Sequence, residues 1–397
     1  MNEALLYISY DGMLEPLGQS QVLAYLERLA ATRTIHLLSF EKAADWRDVQ
    51  ARERMRERMR SAGIHWHPRR YHKRPSALAT TFDLLVGSAS GFWLVHRHGL
   101  KIVHARSYVA AAMALTIKRL SRARFVFDMR GFWADERVDG GLWRRDGRMY
   151  RIAKRFERKF LLRADSVVSL THAAVREMER FPYLRGGMPS VTVIPTCADL
   201  DRFAPTPAPE GEFVLGYVGS AGTWYLFDEA IATFRRLRAL RPRARWLIVN
   251  RGEHAHILSR LAAGHVPLDA VELRAADHMQ IPALMARMHA AVFFIKPVFS
   301  KQASAPTKLA ELLGCGVPCL ANHGVGDMAE LLERERVGVA VNAFTPDALD
   351  AGLRQLLELA QTPGIRERCG HAARAHFSLD EGVARYAAIY RSLGARA

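Results

Sequence analysis

Short apolar runs alternate with amphipathic segments along the whole chain of 397 residues. Segments such as "SQVLAYLERLA" (20–30) and "DVQARERMRERMRSAG" (48–63) have helical periodicity, and the runs between them have the length of buried strands. Such alternation is typical of parallel α/β sheets. The strands predicted in the first half are 4–9, 34–40, 63–67, 101–105, 124–128, 165–170 and 191–195.

The pattern begins afresh in the second half, which predicts a second doubly wound sheet. The Pro-rich stretch "APTPAPEGE" (204–212) lacks periodicity and is the predicted linker. We expect an N-terminal domain over 1–203, a C-terminal domain over 213–378, and a last helix over 379–397 that is free to pack back on the N-terminal domain. The strands predicted in the second half are 213–220, 245–250, 271–275, 290–296, 317–322 and 337–342.

The length of the chain agrees with two domains, and its charge indicates that the first is much more basic than the second. The chain is too long for one core and fits two domains of ordinary size. Residues 1–200 carry 34 Lys and Arg against 20 Asp and Glu, whereas residues 201–397 carry 23 against 20. The first half is therefore expected to bind an anionic ligand or surface. Its basic residues occur within α/β crossovers and not on a recognisable nucleic-acid-binding module, which disfavours a nucleic-acid partner.

Cysteine and histidine spacing gives no metal-ligand pattern, so no metal site is expected. Cys315 and Cys319 lie in an apolar run and are predicted to be buried free thiols, which suits a reducing compartment. The N-terminal "MNEALLYISYDG" lacks the features of a signal peptide. The apolar "LLVGSASGFWLV" (84–95) is shorter than the roughly 20 residues of a spanning helix. We therefore expect a protein that is soluble or lies on a membrane without crossing it.

Two strand-loop-helix junctions carry glycines where a ligand would approach the backbone. In "YISYDGMLEPLGQSQV" (7–22), Gly18 precedes a helix whose first amides would attract an anion. "FVLGYVGSAGTWYLFDEAI" (213–231) repeats this geometry without a GxGxxG pattern, so a dinucleotide fingerprint is not supported. Its loop contains Trp224, which either packs on the domain or contacts a ligand.

A third junction, "SAPTKLAELLGCGVPCLAN" (304–322), combines a cation, a carboxylate and free helix amides. Ser304 is its predicted N-cap, and Pro306 is predicted at the first helical position. Lys308 adds a positive charge beside the amides, and Glu311 shares its face at i+3. Because the apolar positions of this helix must be packed, we expect a site here and not the polar face of a capped surface helix.

Two strand ends in the first half deliver polar side chains with aromatic neighbours. "FVFDMRGFWADERVDGGLW" (125–143) combines arginine forks with flat apolar faces, a combination that suits sugars or anionic groups. The alternative is a loop held by Arg–carboxylate pairs. "VHARSY" (103–108) ends another strand, and its His104 fits a buried core histidine equally well. The candidate ligand-binding side chains from these two segments are Arg106, Ser107, Asp128, Arg130 and Trp133.

These motifs, in this order, resemble the retaining GT-B glycosyltransferases of the GT4 group. "PTKLAELLGCGVPCLAN" followed by "GVGDM" (324–328) is similar to the C-terminal signature of the group, and "VIPTCADLDRF" (193–203) to its interdomain segment. "YDGMLEPLGQSQVLAYL" and "GSAGTWYLFDEA" resemble a subgroup associated with bacterial surface polysaccharide and glycoconjugate assembly. The resemblance covers nearly the whole chain. It implies two Rossmann-like domains facing across a cleft.

The resemblance also implies a reaction and a site. A hexosyl group would move from a nucleotide-diphosphate sugar to a glycan with retention of configuration, and neither a metal nor another cofactor would be required. Glu311 would bind the ribose hydroxyls, and Lys308 with the helix amides would hold the diphosphate. The residues predicted to bind the donor are Gly18, Gly219, Thr223, Trp224, Arg251, Lys296, Lys301, Ser304, Thr307, Lys308 and Glu311.

Acceptor and catalytic roles follow from the same resemblance and from the strand ends of the first half. The residues predicted to bind the acceptor are Gln19, Arg106, Ser107, Asp128, Arg130 and Trp133. Lys308, Arg130 and Asp128 are predicted to be catalytic. Two departures from the group stand out: Ala303 replaces a glutamate that often stands there, and "GSAGTWY" replaces the usual Arg…Lys-Gly. Phosphate neutralisation must then come from other cations, of which Lys308 is the strongest candidate.

The basic "HPRRYHKRP" (67–75) precedes the apolar "FDLLVGSASGFWLVHRHG" (82–99), a pattern typical of proteins that lie on anionic lipid. We therefore expect a cytoplasmic protein, peripheral at the inner face of the cytoplasmic membrane, with a lipid-linked glycan as acceptor. A basic surface over a buried helix is the alternative. Ala303 also leaves open a GT-B scaffold that binds nucleotide sugars with little activity of its own, and a GT-B relative such as an epimerase remains open.

Overall fold

The computed structural model of the protein describes residues 4–74, 76–277 and 279–395. The chain divides into two compact units, one formed by Met1–Ile194 with Leu379–Ala397 and the other by Pro195–Ser378. Each unit contains one parallel sheet with interleaved helices. The prediction of two doubly wound, Rossmann-like α/β domains is therefore confirmed.

The first unit is built on a seven-stranded parallel sheet of order β3-β2-β1-β4-β5-β6-β7. Its central strand β1 consists of apolar and small residues that are all buried, since helices cover both faces of such a sheet. Leu5 of β1 lies opposite Ile35 on one side and Ile102 on the other. The strands are β1 Leu5–Ser9, β2 Ile35–Glu41, β3 Ile64–Arg70, β4 Ile102–Arg106, β5 Arg124–Asp128, β6 Ser166–Ser169 and β7 Val191–Val193.

Helices connect these strands in the predicted alternation. A π-helical turn over Gln19–Leu23 joins the first two helices into one continuous segment. The helices are α1 Pro16–Gly18, α2 Ala24–Ala30, α3 Ala43–Trp46, α4 Val49–Ser61, α5 Ser76–His98, α6 Ser107–Leu120, α7 Trp133–Asp139, α8 Arg148–Arg163 and α9 His172–Glu179.

Helix α5 is longer than the sequence pattern indicated. Within it, Ala77–His98 is long and apolar enough to cross a membrane by length and composition alone, and 33% of its most apolar stretch is buried. The expectation that this region is too short for a spanning helix is therefore wrong. The Gly and Ser residues of "GSASG" (87–91) look like an interruption in the sequence but lie inside the helix.

One face of α5 packs closely on the first unit. A Cβ atom on Gly87 would lie 2.4 Å from Met113 Sδ, and one on Gly91 would lie 2.6 Å from Ile117 Cδ1, so both glycines allow close approach of α6. Asp83 is 1% exposed on the same side of the helix. Its carboxylate accepts hydrogen bonds from Tyr10 Oη at 2.7 Å and from the His72 amide at 3.0 Å. These contacts fix the helix along the unit.

The second unit is built on a six-stranded parallel sheet of order β10-β9-β8-β11-β12-β13. Trp246 and Phe293 are among its fully buried side chains, and all four cysteines of the chain are buried and free, as predicted for Cys315 and Cys319. The strands are β8 Val214–Val218, β9 Arg245–Val249, β10 Val271–Arg274, β11 Ala290–Val292, β12 Cys319–Asn322 and β13 Gly338–Val341. The helices are α10 Phe227–Leu240, α11 His254–Ala263, α12 Ile281–Ala286, α13 Thr307–Gly314, α14 Met328–Arg334, α15 Pro346–Ala360 and α16 Ile365–Phe377.

The segment predicted to be the linker (204–212) packs on the second unit. Arg366, which is 5% exposed, donates hydrogen bonds to Thr206 O, Met288 O and Cys315 O at 2.7–3.0 Å. Residues 195–203, predicted with the N-terminal domain, also belong to the second unit because Ala198 and Phe203 lie in its hydrophobic core. The division between the units therefore falls at Ile194/Pro195 instead of 203/204.

The last helix, α17 Leu379–Gly394, belongs to the first unit. The ring of its Tyr386 packs edge-on against Tyr25, and Arg28 Nε donates to Asp380 Oδ1 at 2.9 Å. Tyr390 is fully buried. The sequence left the partner of this helix open between the two domains, and the structure places it on the N-terminal sheet.

Candidate functional site

The strand order of the second sheet reverses at β8, which lies between β9 and β11. In open parallel sheets, ligands bind outside the carboxyl ends of the strands at such a point. A loop over residues 219–225 follows β8 here, with Gly219 at φ 102° and Thr223 at φ 53°, both in the left-handed region. We call this segment the β8 loop.

Glu253 fixes the β8 loop from the neighbouring strand end. Its Oε2 accepts hydrogen bonds from the Ala221 amide and from Asn250 Nδ2, both at 2.9 Å. Asn250 Nδ2 also donates to Gly219 O at 3.0 Å. Burial alone would raise the pKa of Glu253, but the hydrogen bonds from Ser220, Ala221 and Asn250 outweigh burial and lower it. An ionised carboxylate therefore holds the backbone of the loop in place.

Two lysines that face the β8 loop lie against its aromatic rings. Lys301 Nζ lies 3.8 Å from the ring centroid of Trp224, and Lys308 Nζ lies 3.8 Å from that of Tyr225. Both lysines are 7% exposed. A cation over an aromatic face gains electrostatic attraction that increases when water is excluded. Two buried lysines therefore lie against the rings of the loop at the switch point of the sheet.

Lys308 lies in an unusual environment for a lysine. Its Nζ has no hydrogen-bond partner among the residues that the structure describes, and the rings of Tyr217 and Phe293 lie 5.2 and 5.5 Å away. Burial lowers the pKa of Lys308 to about 7, partly opposed by Glu311 and Glu253. A buried ammonium that makes no hydrogen bond to any described residue is unfavourable for folding, so this arrangement is suited to receiving an anionic ligand.

Glu311 lies one turn further along α13 and is also buried, with 9% exposure. Burial raises the pKa of Glu311 to about 7, against the charges of Arg202 and Lys308. The alternative of a solvated surface helix is therefore wrong for this face. The predicted capping is also wrong: Pro306 occupies the N-cap position of α13, and Ser304 lies two residues before it, without a cap hydrogen bond.

The remaining residues predicted to bind the donor border this site less directly. The Lys296 amide donates to Trp224 O at 2.9 Å, and Arg251 follows Asn250, but both side chains are exposed. Thr307 begins α13 and is half-buried, as is Ser304. Ala303, at the position of the missing glutamate, is 2% exposed.

The first sheet has its own switch point, where β1 lies between β2 and β4. Arg106 ends β4, and Asp128 ends the adjacent β5. Asp128 Oδ2 accepts a hydrogen bond from Tyr386 Oη at 2.9 Å and lies 3.5 Å from His104 Nε2. Asp128 Oδ1 lies 4.0 Å from Arg130 Nη1. The structure therefore brings the predicted Arg106, Asp128 and Arg130 together.

The charges in this second cluster are buried and incompletely satisfied. Within the described parts of the chain, Asp128 Oδ1 and the Nε and Nη1 atoms of Arg106 have no hydrogen-bond partner. Burial alone would raise the pKa of Asp128, but Arg130, His104 and Arg106 outweigh it and lower it. Burial also lowers the pKa of His104. At neutral pH the cluster therefore contains a carboxylate, a neutral imidazole and two guanidinium groups.

Two residues of this cluster hold unusual backbone conformations. Ser107 has φ 68° and Arg130 has φ 58°, although neither is glycine. Ser107 follows the end of β4 directly, and Arg130 lies two residues after the end of β5. Left-handed conformations of this kind cost about 1–3 kcal/mol and concentrate at functional sites. The strain supports the prediction that both residues contact a ligand.

The surroundings of three further predicted residues, Gln19, Trp133 and Gly18, are explained mainly by packing and local backbone structure. The Trp133 ring packs against Tyr108 and Trp143, with centroids 5.6 and 5.1 Å away. Gln19 begins the π-helical turn between α1 and α2, a feature frequent at functional sites. A Cβ atom on Gly18 would lie 2.0 Å from Gly12 O, so packing within the loop explains this glycine.

Sequence reasoning missed several residues of both clusters. Glu253 follows a strand end in "NRGEH", a polar turn that could have marked it. Tyr386 and Tyr390 form an i, i+4 aromatic pair on the last helix, and Tyr390 Oη lies 2.7 Å from His104 Nδ1. The described residues contain no group of three or more His, Cys, Asp and Glu side chains arranged to hold a metal ion.

Each half of the chain matches a different protein-family model. Residues 19–197 match the model described as glycosyl transferase 4-like domain, and residues 200–376 match that of glycosyl transferases group 1. No curated protein matches the chain significantly.

Solved structures similar to the chain share its fold over nearly their whole length. Sucrose-phosphate synthase from Thermosynechococcus elongatus has 14% sequence identity and a TM-score of 0.72, with 100% of both chains covered. A glycosyltransferase from Rickettsia africae has 14% identity and a TM-score of 0.71, covering 99% of this chain and 98% of its own. HepE from Anabaena, solved in complex with UDP-glucose, has 15% identity and a TM-score of 0.69, covering 98% and 99%.

Proposed function

Because the chain belongs to the GT4-type glycosyltransferases with the GT-B fold, we propose that it moves a sugar from a nucleotide-diphosphate donor to a lipid-linked glycan with retention of configuration. The donor would bind the second unit at the β8 loop and α13. The acceptor would bind the first unit at Arg106, Asp128 and Arg130. The buried Lys308 ammonium, which has no hydrogen-bond partner among the described residues, carries this proposal.

The chemistry follows from where charge develops. The bond that breaks joins the anomeric carbon of the sugar to a phosphate oxygen, so negative charge grows on the leaving diphosphate. Lys308 is already desolvated and held by Tyr225, and a preorganised cation of this kind stabilises the transition state more than the ground state. Glu311 would accept hydrogen bonds from the ribose hydroxyls. In the retaining reaction, a phosphate oxygen would take the acceptor proton, so no protein nucleophile is assigned.

Donor binding and turnover test the proposal separately. Donor binding is measured as the rise in the melting temperature of the protein with UDP, GDP, dTDP or CMP. A nucleotide that binds the folded state stabilises it and should raise this temperature. HepE in complex with UDP-glucose makes UDP the first choice. Slow hydrolysis of the matching sugar nucleotide, followed by ¹H NMR, should release the sugar with its original anomeric configuration. Release of the inverted anomer contradicts retention, and binding without any turnover favours the scaffold alternative.

We also propose that turnover needs no metal ion. Lys308, Lys301 and the amides at the start of α13 would supply the positive charge that a metal supplies elsewhere. Turnover in excess EDTA should therefore equal turnover in Mg²⁺. A loss of activity in EDTA that Mg²⁺ restores would contradict this assignment.

Replacing Gly219 by Ala should weaken UDP binding about tenfold or more. A Cβ atom there would lie 2.9 Å from Lys308 Nζ, and φ 102° is unfavourable for alanine. Calorimetric titration with UDP measures the effect. Gly252→Ala is the matched control, because no described atom beyond its immediate chain neighbours lies within 4 Å of the added Cβ. Equal UDP affinity in both variants would remove Gly219 from the site.

UDP affinity should be highest near pH 7 and fall on both sides. Above pH 7 free Lys308 loses its proton and must regain it to bind diphosphate, and below pH 7 free Glu311 is protonated and accepts ribose hydrogen bonds poorly. Titrations at neutral and alkaline pH in buffers of different ionisation enthalpy should show proton uptake above pH 7. The uptake should disappear in Lys308→Met if Lys308 is the group that titrates. An affinity independent of pH from 6 to 9 would contradict the assignment.

An exposed apolar stripe on α5 supports membrane contact. Leu78, Phe82, Leu85 and Trp93 recur on one side of the helix and are 71%, 53%, 67% and 56% exposed. Exposed Lys73 and Arg74 precede the helix, and exposed Arg97 lies in its last turn. Apolar side chains flanked by cations suit the surface of an anionic bilayer. We propose that this stripe, at the cytoplasmic face, brings the first unit to the lipid-linked acceptor.

Flotation with vesicles tests the contact. The protein should float with vesicles that contain 30% phosphatidylglycerol at low salt, and Leu78→Ser/Leu85→Ser should reduce the bound fraction severalfold. The control is Leu240→Ser/Leu258→Ser, because these leucines are 42% and 43% exposed on the second unit. Equal loss in both variants, or no flotation of the wild type, would overturn the assignment of the stripe.

A further inference from the structure

A basic cavity lies at the carboxyl ends of β2 and β3, outside the two clusters described above. Its volume is about 450 Å³, within the usual range of roughly 300–1,000 Å³ for small-molecule sites. Trp46, Arg47, Arg69 and Arg70 line it together with Glu41. Three guanidinium groups and an indole thus surround one space. We call it the β3 cavity.

The one carboxylate in the wall of the β3 cavity is already used by the protein. Glu41 is 2% exposed, and its Oε1 accepts hydrogen bonds from Ser39 Oγ at 2.6 Å and from the Met13 amide at 3.0 Å. Its Oε2 accepts from the Leu14 amide at 3.3 Å. Glu41 therefore holds the loop that follows β1, and the lining of the cavity remains positive toward a ligand.

Part of the wall is fixed before any ligand binds. Arg69 Nε donates to Ser90 Oγ and its Nη1 to Pro68 O, both at 3.0 Å, which sets the plane of its guanidinium group. The Trp46 ring lies 5.9 Å from that of Trp66 and 5.1 Å from the guanidinium carbon of Arg52. A guanidinium held in one plane recognises phosphate with little loss of side-chain freedom.

The β3 cavity adjoins both the acceptor side of the unit and α5. Glu41 binds the amides of Met13 and Leu14 in the loop that leads to Gly18 and Gln19. Ser90, the partner of Arg69, belongs to α5, the helix with the exposed apolar stripe. A phosphate in the cavity would thus lie on the same unit as an apolar surface for a hydrocarbon chain and a polar cluster for a sugar.

We propose that the β3 cavity binds the phosphate group of a lipid-carried acceptor. The proposal rests on the proposed function, because it names the class of acceptor: a glycan joined to a lipid through phosphate. Arg47, Arg69 and Arg70 bind the phosphate oxygens, and the α5 stripe meets the hydrocarbon chain. The cavity therefore selects lipid-phosphate-linked glycans over neutral glycolipids of the same sugar sequence.

Binding of a soluble lipid phosphate to the full chain tests this site without any donor. Calorimetric titration uses dihexanoyl phosphatidic acid below its micellar concentration, with inorganic phosphate as the second probe. Arg47→Gln/Arg70→Gln should weaken binding of the lipid phosphate about tenfold or more. Both arginines are exposed, so the variant should fold normally. Inorganic phosphate should bind the wild type at least tenfold more weakly than the lipid phosphate does.

A neighbouring cavity provides the matched control. Arg60 lines a space of about 380 Å³ on the other part of β3, and Arg54 is exposed on the same helix, so Arg54→Gln/Arg60→Gln removes the same charge from the same unit. This control should keep wild-type affinity. Equal weakening in both double variants would show a general charge effect and overturn the proposal. Equal affinities for inorganic and lipid phosphate would also overturn it, in favour of a soluble anion.

Failure of this site is distinguishable from failure of the donor assignment. Arg47→Gln/Arg70→Gln should retain wild-type affinity for UDP, because neither residue belongs to the second unit. Loss of lipid-phosphate binding with UDP binding intact supports the β3 cavity as a separate site. Loss of both affinities together would indicate damage to the protein as a whole and overturn the assignment.

Discussion

Replacing Lys308 by Met should lower kcat/KM for the sugar-nucleotide donor by about 100- to 1,000-fold without destabilising the protein. One preorganised group at a developing charge is commonly worth that much. The free protein buries the Lys308 ammonium against aromatic rings, with no hydrogen-bond partner in the described structure. Methionine fills a similar volume without the unfavourable burial of a charge. The melting temperature without ligand should therefore stay the same or rise.

This combination separates a catalytic lysine from a structural one. If Lys308 served only packing or ion pairing, its replacement would lower the stability of the protein and leave turnover per folded molecule unchanged. Lys159→Met is the matched control, because Lys159 is exposed on α8 in the first unit. Donor hydrolysis and thermal melting measured on the same samples decide the matter. Turnover within threefold of wild type in Lys308→Met would contradict the mechanism.

Replacing Arg366 by Met should destabilise the second unit by about 3 kcal/mol or more. Arg366 donates to three backbone carbonyls and to Thr206 Oγ1, and its removal would leave buried acceptors without donors. Each unsatisfied buried group costs about 1–3 kcal/mol. Native-state hydrogen exchange is the suitable measurement, since the two units need not unfold together. Amides of β8 and β12 should exchange about 100-fold faster.

The same helix supplies the control. Arg374 lies two turns along α16 and is exposed, so Arg374→Met should leave exchange rates nearly unchanged. The effect of Arg366→Met should also reach donor binding, because Cys315 O lies at the C-terminus of α13. Unchanged protection of β8 and β12 in Arg366→Met would show that other contacts hold the segment 204–212.

The two sheets were predictable because their strands are buried on both faces. Such strands appear as continuous apolar runs, as in β1 and β12. The length of α5 was not predictable in the same way. Gly87 and Gly91 look like helix breakers, but they allow Met113 and Ile117 to pack closely, and that partner surface cannot be identified from local sequence. The boundary between the units was misplaced because Arg366, which binds Thr206, lies 160 residues further along the chain.

The candidate site was predictable where neighbours in sequence are neighbours in space. Lys308 and Glu311 share one helix face, so spacing alone brings them together. Tyr386 binds Asp128 across 258 residues, and no local pattern indicates such a contact. The loss of solvent around Lys308 also depends on Tyr217 in β8, Tyr225 in the β8 loop and Phe293 after β11.

The placement of α17 has a consequence for how the protein is made. During synthesis the seven strands of the first sheet emerge early. His104 and Asp128 of this sheet cannot contact Tyr390 and Tyr386 until the last helix has been made. The whole second unit, residues 195–378, leaves the ribosome before those tyrosines do. A nascent first unit therefore exposes the surface on which α17 later packs. We expect ribosome-bound chains that end at residue 378 to be cleaved by protease in the first unit. Chains that continue past residue 394 into a C-terminal linker, so that α17 has left the ribosome, should resist this cleavage.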